Sequence, residues 1–496
     1  MNREWRNTRR VGWFLGILLG LVFMVLLTNS FWQGWRLERL RRAQLAQGEV
    51  LDWRRLVPRH VDLASNGGDE FIAAMEVVPT DLARASRGWF WTQEGTGRKV
   101  AISLEELPGR FFRDYDEYWA SNLWIEASRR LEPWEESLVL ASRALTNEFV
   151  LRRVNYSELE ERRESGQIAC WVTYVEWQRL LAVMHLRKGD RAAALQALKN
   201  GYGLIAKCAD ERVAYFQNRR VYMASVLSGA IWEILQHDGW TDAELASLQR
   251  LLDRPEFVEP ILPTLEMGRA DIVKMWERDS VYDWLGRDPT VRVKVLNHVA
   301  VHAGYFIWKT QFAAADLRTC LSLLQGEMNA ARAAIAQRSA EPFLLTVNKE
   351  SPRWVPGFRF TNCYRFRLQR LFWMLIAAET EREMCRAAIG LRRFRQAYGY
   401  YPMKLVELVP GYVPAVPRDW FDGEALRYER KGDEYRLWAV GEDGIDEGGN
   451  PGLDSRLYHW FGGKDWLWPR RMSPKGVVAH TRTLEAEWRK WAKRHP

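Results

Sequence analysis

The hydrophobic pattern of the chain begins with one long apolar stretch. Residues 11–27 are apolar without interruption, and no charged residue lies between Arg10 and Arg36. A helix needs about 20 mostly apolar residues to cross a bilayer, because its backbone groups must be paired within the segment. The stretch therefore predicts a transmembrane helix, with the lipid bilayer as the partner of residues 11–32.

Two alternatives fit part of this pattern. A removable secretory signal has the same order of basic, apolar and small residues, and Thr28-Asn29-Ser30 offers small residues for cleavage. However, the apolar stretch exceeds the usual signal core of about 7–15 residues. A buried helix of a soluble domain is the other alternative, but arginines flank both ends and the amphipathic period is absent. We therefore favour an uncleaved anchor.

The pattern then changes to the helical period over 131–345, which predicts successive antiparallel helical hairpins. Gly189 and Gly239 mark turns between the helices. Thr241 and Glu244 form a capping-box pattern, in which each residue pairs with an exposed backbone donor of the other. The predicted helices cover about 170–187, 191–207 and 211–237.

In the last region of the chain, helix, turn and strand patterns follow each other over short distances. This order predicts a helix packed on a small antiparallel sheet with a long polar loop. Its parts are a helix ending at Gly399, Tyr400-Tyr-Pro402, the turn Pro417-Arg-Asp-Trp-Phe-Asp-Gly423, strands at 425–428 and 435–440 joined at Lys431-Gly-Asp433, and the acidic Gly-rich loop 441–449.

This ordered set resembles the globular part of type II secretion major pseudopilins, over less than a fifth of the chain. The layout also resembles membrane-anchored bacterial proteins in which a helical region precedes such a module. In pseudopilins the corresponding loop binds calcium. The resemblance therefore implies a calcium ion held by Asp443, Asp446 and Glu447, whose carboxylates suit a hard cation. The alternative is a plain solvated loop.

The expected fold is mainly α, a helical hairpin array with an N-terminal transmembrane helix and a small C-terminal α+β pseudopilin-like module. The predicted regions are 1–60 (basic N-terminus, transmembrane helix and helical stalk), 61–130 (mixed α/β), 131–345 (helical hairpin domain), 346–369 (linker), 370–469 (pseudopilin-like helix plus antiparallel sheet) and 470–496 (basic amphipathic tail).

The net charge of +9 is confined to the two ends of the chain. Residues 1–60 carry +7 and residues 470–496 carry +6, so the body between them carries −4. A nucleic-acid groove needs a basic stripe on the folded body, whereas basic ends suit anionic lipid head groups. We therefore predict no nucleic-acid partner. In the tail, Leu484, Trp488 and Trp491 share one helical face and predict a second, weak membrane contact.

Membrane orientation is not decided by the flanking charges. Four arginines precede the anchor and four follow it, so the positive-inside rule is balanced. Pseudopilin-like modules work outside the inner membrane. The resemblance therefore favours the inner membrane as the location, with a cytoplasmic N-terminus and the bulk of the chain outside. A chain beginning at Leu51 is then expected to be soluble.

The rest of the sequence contains only weak candidates for cofactor, metal or catalytic sites. Gly201-Tyr-Gly-Leu-Ile-Ala206 resembles a dinucleotide fingerprint but lies inside a predicted helix, not after a strand. His298 and His302 have the i, i+4 spacing of metal ligands, without a glutamate between them. Asp114, Asp116 and Glu117 form an acidic cluster. Solvated or structural roles are the competing interpretation for each of these groups.

The cysteines and tryptophans add no catalytic signature. The five cysteines show neither metal-ligand spacing nor a disulfide framework, so we expect buried apolar residues. The 26 tryptophans are more typical of core and interface anchors than of sugar-stacking platforms. We therefore predict no catalytic residues and no cofactor other than calcium. The expected function is a single-pass membrane-anchored envelope protein acting as a non-catalytic interaction or scaffold protein, with a link to a secretion or pilus-like assembly. The alternative is an envelope hydrolase using clustered carboxylates and tryptophan platforms.

Overall fold

The structure is a computed structural model that is mostly helical, with small sheets. It describes residues 4–59, 64–79, 91–93, 99–101, 131–154, 156, 165–254, 256–278, 295–349, 359–450, 464–471, 473, 475–476 and 482. Within these ranges, the side chains at 4–12, 91–93, 99–101, 165–166, 278, 295–301, 347–349 and 359–369 are not described.

Within the described residues the chain forms twelve α-helices. They are α1 (Glu4–Ala46), α2 (Gly68–Met75), α3 (Glu135–Ala144), α4 (Ser165–Arg187), α5 (Arg191–Lys207), α6 (Ala214–Gln236), α7 (Asp242–Arg250), α8 (Ile261–Arg278), α9 (Val295–Gln311), α10 (Ala313–Gln337), α11 (Glu341–Lys349) and α12 (Arg359–Tyr398). The strands are β1 (Trp91–Gln93), β2 (Lys99–Ala101), β3 (Arg427–Lys431), β4 (Glu434–Ala439), β5 (Trp466–Leu467) and β6 (Arg470–Arg471).

Local sequence signals account for the helix ends in the hairpin region. Gly189 has a φ of +76°, which favours glycine, and it separates α4 from α5. Asp190 then caps α5, because its carboxylate accepts from the backbone N–H of Ala193 at 3.0 Å. At the start of α7, Thr241 and Glu244 form the predicted capping box. The predicted hairpin helices are confirmed.

Two predicted regions differ from the structure. The region 346–369 was expected to be a linker, but α11 extends to Lys349 and α12 already begins at Arg359. Proline residues between these two helices interrupt the helical period, which is why the pattern indicated a longer linker. The predicted tail also differs at its beginning, because Arg470 and Arg471 form strand β6. The amphipathic stretch around Trp488 lies outside the described residues.

The chain divides into two compact units. Unit 1 comprises Met1–Val57, Leu265–Ala330 and Leu345–Gln369, and unit 2 comprises Pro58–Thr264, Ala331–Leu344 and Arg370–Pro496. In unit 1, the part of α1 beyond the apolar stretch packs against the C-terminal part of α8 and the N-terminal part of α10. Leu37 and Gln44 of α1 are buried there.

Unit 2 has its core between helices α4, α5 and α6. Trp171 of α4 is fully buried, and its ring lies 5.1 Å from the ring of Phe71 and 5.7 Å from the ring of Phe216. Fully buried aromatic side chains are the largest contributors to a core of this kind. The aromatic contacts therefore join α2, α4 and α6 into one packed layer.

Unit 2 also contains two small sheets. In the first, β2 lies between β1 and β6, antiparallel to β1 and parallel to β6. In the second, β4 lies between β3 and β5, and both pairings are antiparallel. Gly432, at a φ of +61°, forms the turn of the β3–β4 hairpin. The predicted hairpin is therefore confirmed, whereas the pairing of β2 with β6 was not expected.

Candidate functional site

The densest group of carboxylates that we find in the described part of the sequence-predicted module surrounds one arginine beside the β3–β4 hairpin. Asp419 is fully buried in the turn after α12. Its carboxylate accepts from the backbone N–H of Phe421 at 2.9 Å and from that of Val440 at 2.8 Å. Nη1 of Arg427 donates to the same carboxylate at 2.8 Å. Burial, with a smaller contribution from the charge of Asp422, raises the pKa of Asp419 to about 6.

Arg427 contacts two further carboxylates. Its guanidinium hydrogen-bonds Asp422 through both terminal nitrogens, and its Nε lies 3.7 Å from Asp446. We call Asp419, Asp422, Arg427 and Asp446 the arginine cluster. Asp446 also accepts from Nε1 of Trp438 at 2.9 Å, and this hydrogen bond is the main cause of its lowered pKa. The guanidinium thus places its single positive charge among the three carboxylates.

The acidic Gly-rich loop is fixed on two sides by side chains of its own module. Nη2 of Arg436 donates to the carbonyl oxygens of Gly448 and Gly449 at 2.8 and 2.7 Å. The buried carboxylate of Asp465 accepts from the N–H groups of Gly449 and Asn450 at 2.6 and 3.0 Å. Burial raises the pKa of Asp465. The loop conformation is therefore set by protein groups.

The three residues predicted to hold calcium have different surroundings. Asp443 accepts from the N–H of Ile445 at 3.1 Å, and Glu447 lies 3.7 Å from Nζ of Lys464. Asp446 belongs to the arginine cluster. Among the described residues, no group of three His, Cys, Asp or Glu side chains is arranged to hold a metal ion. In this arrangement the loop does not fit a ready calcium site, and calcium binding stays a prediction.

The helical body contains a second set of charges that the sequence did not single out. Glu379, Arg382, Glu383 and Arg386 follow each other on one face of α12, and three of the four side chains are at most 12 % exposed. Arg382 donates to Glu379 at 2.6 Å, and Arg386 donates to Glu383 at 2.8 Å. Both arginines also donate to the carbonyl oxygen of Leu252, at 2.8 and 2.9 Å. These charges therefore join α12 to the segment after α7.

The remaining candidate residues of the sequence do not form a site within the described residues. Gly201 lies inside α5, and a Cβ there would meet the Leu227 side chain at 2.9 Å. Close helix packing therefore explains this glycine. His302 is exposed on α9, while the structure does not describe the His298 side chain. The acidic cluster of Asp114, Asp116 and Glu117 lies outside the described residues.

The cysteines that the structure describes are buried. Burial raises the pKa of Cys170 to about 11 and that of Cys208 to about 12, and Cys320 and Cys385 shift in the same direction. The expectation of buried apolar residues is confirmed for these four, while the Cys363 side chain is not described. Trp171, Trp177 and Trp232 are likewise buried in the core.

The N-terminal helix is the remaining functional element. The segment Trp13–Ala46 of α1 is long and apolar enough to cross a membrane, and its apolar window is fully exposed. Beyond that window, the rings of Trp32 and Trp35 stack at 5.2 Å. Such tryptophans are enriched where a membrane helix leaves the hydrocarbon. No protein-family model, curated protein or solved structure matches this chain.

Proposed function

We propose that this chain is a single-pass, membrane-anchored envelope protein that acts as a non-catalytic interaction or scaffold protein, with a secretion or pilus-like assembly as the candidate partner. The observation that carries the proposal is the continuity of α1. The helix runs without a break from exposed apolar residues to a part that packs within unit 1, where Leu37 and Gln44 are buried. A removable signal has no need of a continuation that packs inside the mature protein.

The residues at the exit from the apolar stretch support the anchor. Arg36 lies over the ring of Trp32 at 5.5 Å, and Arg39 lies over the ring of Trp35 at 5.6 Å. Tryptophan rings with adjacent cations suit the head-group layer, where one side is apolar and the other is charged. On this basis the hydrocarbon core ends near Ser30.

An exposed aromatic patch supports the interaction role. Tyr398, Tyr400, Met403 and Val406 lie at the C-terminal end of α12 and after it, and each is between 47 % and 67 % exposed. Arg430 lies over the ring of Tyr400 at 5.3 Å. Tyrosine, methionine and arginine are enriched in protein interfaces. We assign this aromatic patch as the surface that contacts a protein partner.

The chemistry of the described carboxylates also supports a non-catalytic role. The carboxylates of the arginine cluster bond Arg427 and backbone N–H groups, and those of α12 bond arginines and the Phe257 N–H at 2.9 Å. A general acid or base has to reach a substrate proton. The hydrolase alternative then requires other clustered carboxylates, and the candidate cluster of Asp114, Asp116 and Glu117 lies outside the described residues.

Membrane extraction and orientation test the anchor. We expect the full chain to resist alkaline extraction from membranes, whereas a chain lacking residues 1–35 should be extracted. A C-terminal reporter that is active only outside the cytoplasm should give a signal. Extraction of the full chain would contradict the anchor, and a signal from a C-terminal reporter that is active only in the cytoplasm would reverse the orientation.

Site-specific photo-crosslinking tests the interaction role. A photoreactive phenylalanine analogue at Tyr400 should give a defined adduct in intact cells with a component of a secretion or pilus-like assembly. Leu140, which is 45 % exposed on α3 of the same unit, is the matched control position. Equal adducts at both positions, or none at Tyr400, would contradict the patch as a docking surface.

A further inference from the structure

Helices α9 and α10 of unit 1 follow each other with only Phe312 between them. Across this junction, the Phe312 N–H donates to the Trp308 carbonyl and the Asp316 N–H donates to the Phe312 carbonyl, both at 2.9 Å. Both hydrogen bonds have the i to i−4 spacing of an α-helix. Phe312 itself is a turn residue, so the two helices follow each other directly with a break at Phe312, and we call them together the composite helix.

This composite helix runs parallel to α1 and nearly in register with it. Nδ2 of Asn29 donates to Oε1 of Gln311 at 3.1 Å, and Nε2 of Gln44 donates to Oε1 of Gln325 at 3.4 Å. The sequence separation of the two contacts is nearly the same on α1 and on the composite helix. Because both helices rise about 1.5 Å per residue, equal sequence separations correspond to equal heights. The hydrogen bond places Gln311 beside Asn29, and Ile307 lies one helical turn before Gln311 on α9, as Val25 lies one turn before Asn29 on α1.

The residues of α9 on the turn before Gln311 are apolar and exposed. Phe306 is 67 % exposed and Ile307 is 54 % exposed, compared with 67 % for Val25 on the anchor. On the same turn, Trp308 is buried, and Nζ of Lys309 donates to the Trp276 carbonyl at 2.8 Å. One side of α9 is thus held by unit 1, while Phe306 and Ile307 are exposed on the turn next to the contact of Gln311 with Asn29 of the anchor. Large apolar side chains grouped in this way mark a contact with protein or membrane.

The length of the uncharged part of α9 limits how it meets the bilayer. From Val295 to Trp308 the helix has no acidic or basic residue other than histidine. At about 1.5 Å per residue this stretch rises about 21 Å, which is less than the hydrocarbon thickness of about 30 Å. A stretch of this length is typical of a buried core helix or of a re-entrant or interfacial segment, and the exposure of Phe306 and Ile307 favours the second.

We infer that α9 enters the same membrane as the anchor, with Phe306 and Ile307 against lipid acyl chains and without crossing the bilayer. The inference rests on the proposed anchor, because the height of Ile307 is set by its register with α1. The protein then contacts the bilayer through two adjacent helices.

Nitroxide accessibility in the full chain, reconstituted into vesicles of phosphatidylcholine and phosphatidylglycerol, tests this inference. The variants are Ile307→Cys on α9, Val25→Cys as the lipid reference and Leu45→Cys as the aqueous reference. Leu45 is 52 % exposed and lies next to Ala46, the last residue of α1, far beyond the apolar stretch. The wild-type chain labelled in parallel corrects for the native cysteines. Each replaced side chain is exposed, so folding should be kept, and circular dichroism checks this.

We expect the label at 307 to match that at 25, with oxygen relaxing it several-fold more than a water-soluble nickel complex does, relative to the label at 45. A label at 307 that behaves like that at 45 would overturn the inference and leave the anchor intact. Protection at 307 from both reagents would indicate a protein occupant and would also overturn it. If the label at 25 is itself accessible to nickel, the proposed anchor fails.

Discussion

Glu49 and Arg269 form an ion pair of 2.8 Å in which the two side chains are 8 % and 0 % exposed. Arg269 also donates to the Val50 carbonyl at 3.1 Å and to Gln325 at 2.8 Å. The residues that follow α1 are therefore bonded to both α8 and α10. The anchor is fixed to unit 1 by this buried pair as well as by the packing of Leu37.

Removal of the carboxylate should destabilise unit 1 strongly. In Glu49→Ala, Arg269 keeps its charge in a buried position without its partner, so we expect a loss of about 3–5 kcal/mol in the free energy of unfolding. The control is Glu38→Ala, which removes a pair with Arg42 whose side chains are 49 % and 77 % exposed. We expect a loss of about 0.5 kcal/mol or less there. Denaturant unfolding in detergent measures both, and equal losses would contradict the role of the buried pair.

The same pair decides where the chain can be shortened. The sequence indicated Leu51 as a starting point for a soluble chain, but that truncation removes Glu49, Val50 and the buried Leu37. We expect a chain of residues 36–496 to keep unit 1 folded and a chain of residues 51–496 to lose it. Limited proteolysis within α10 distinguishes the two. Equal protection of α10 in both chains would show that the stalk is dispensable.

Glycine substitutions test how tightly the acidic loop is fixed. Gly449 has a φ of +75°, and a Cβ there would lie 2.4 Å from Nη2 of Arg436. Gly444 has a similar φ of +68°, but nothing lies within 4 Å of its Cβ position. Gly444→Ala should therefore cost about 1 kcal/mol from backbone strain alone, and Gly449→Ala should cost more, because the Arg436 guanidinium has to move away from the Gly448 and Gly449 carbonyls. Thermal unfolding measures the difference, and equal costs would mean that Arg436 does not hold the loop.

The buried carboxylate of Asp419 predicts a dependence of stability on pH. Its pKa is raised to about 6, so the folded state binds a proton that the unfolded state has already released. The contribution is fully present below the unfolded pKa of about 3.9 and is lost as the pH rises through 6. We expect the wild type to lose up to about 2 kcal/mol relative to Asp419→Asn over this window. Unfolding between pH 4 and 7.5 tests this, and a constant difference would contradict it.

Calcium binding remains to be tested at Asp443, Asp446 and Glu447. If the loop binds calcium, millimolar calcium should raise the unfolding temperature, because a ligand of the folded state stabilises it by mass action. Asp443→Ala should abolish the increase, and magnesium at the same concentration is the control. An unchanged unfolding temperature would identify the loop as one held by the side chains of its own module, without an ion.

The sequence predicted the elements with strong local signals. The bounds of α5 and the capping box of Thr241 and Glu244 agree with the structure, since both depend on residues a few positions apart. The hairpin turn at Gly432 agrees for the same reason. Turns, caps and helical periods depend on residues that are close together in the chain, so a single sequence is sufficient to predict them.

The contacts between distant segments could not be predicted in this way. Glu379, Arg382, Glu383 and Arg386 repeat at spacings that are typical of a solvated helix face. In the structure they are covered because they bond the Leu252 carbonyl and its neighbours. Arg427 pairs with Asp446 in the acidic Gly-rich loop, and Glu49 pairs with Arg269 in α8. These partners are likewise distant in sequence. Only the tertiary structure determines which charges have buried partners.

The parallel pairing of β2 with β6 has a consequence for the order of folding. Val100 of β2 is paired with Arg470, and Trp232 of α6 donates through Nε1 to the Pro469 carbonyl at 3.0 Å. Several hundred residues separate Val100 of β2 from Arg470 of β6. The first sheet is therefore completed only after the helices between the two strands have been synthesised, and long-range pairing of this kind forms slowly. Until then β2 keeps an open edge, and an open strand edge can pair with other chains.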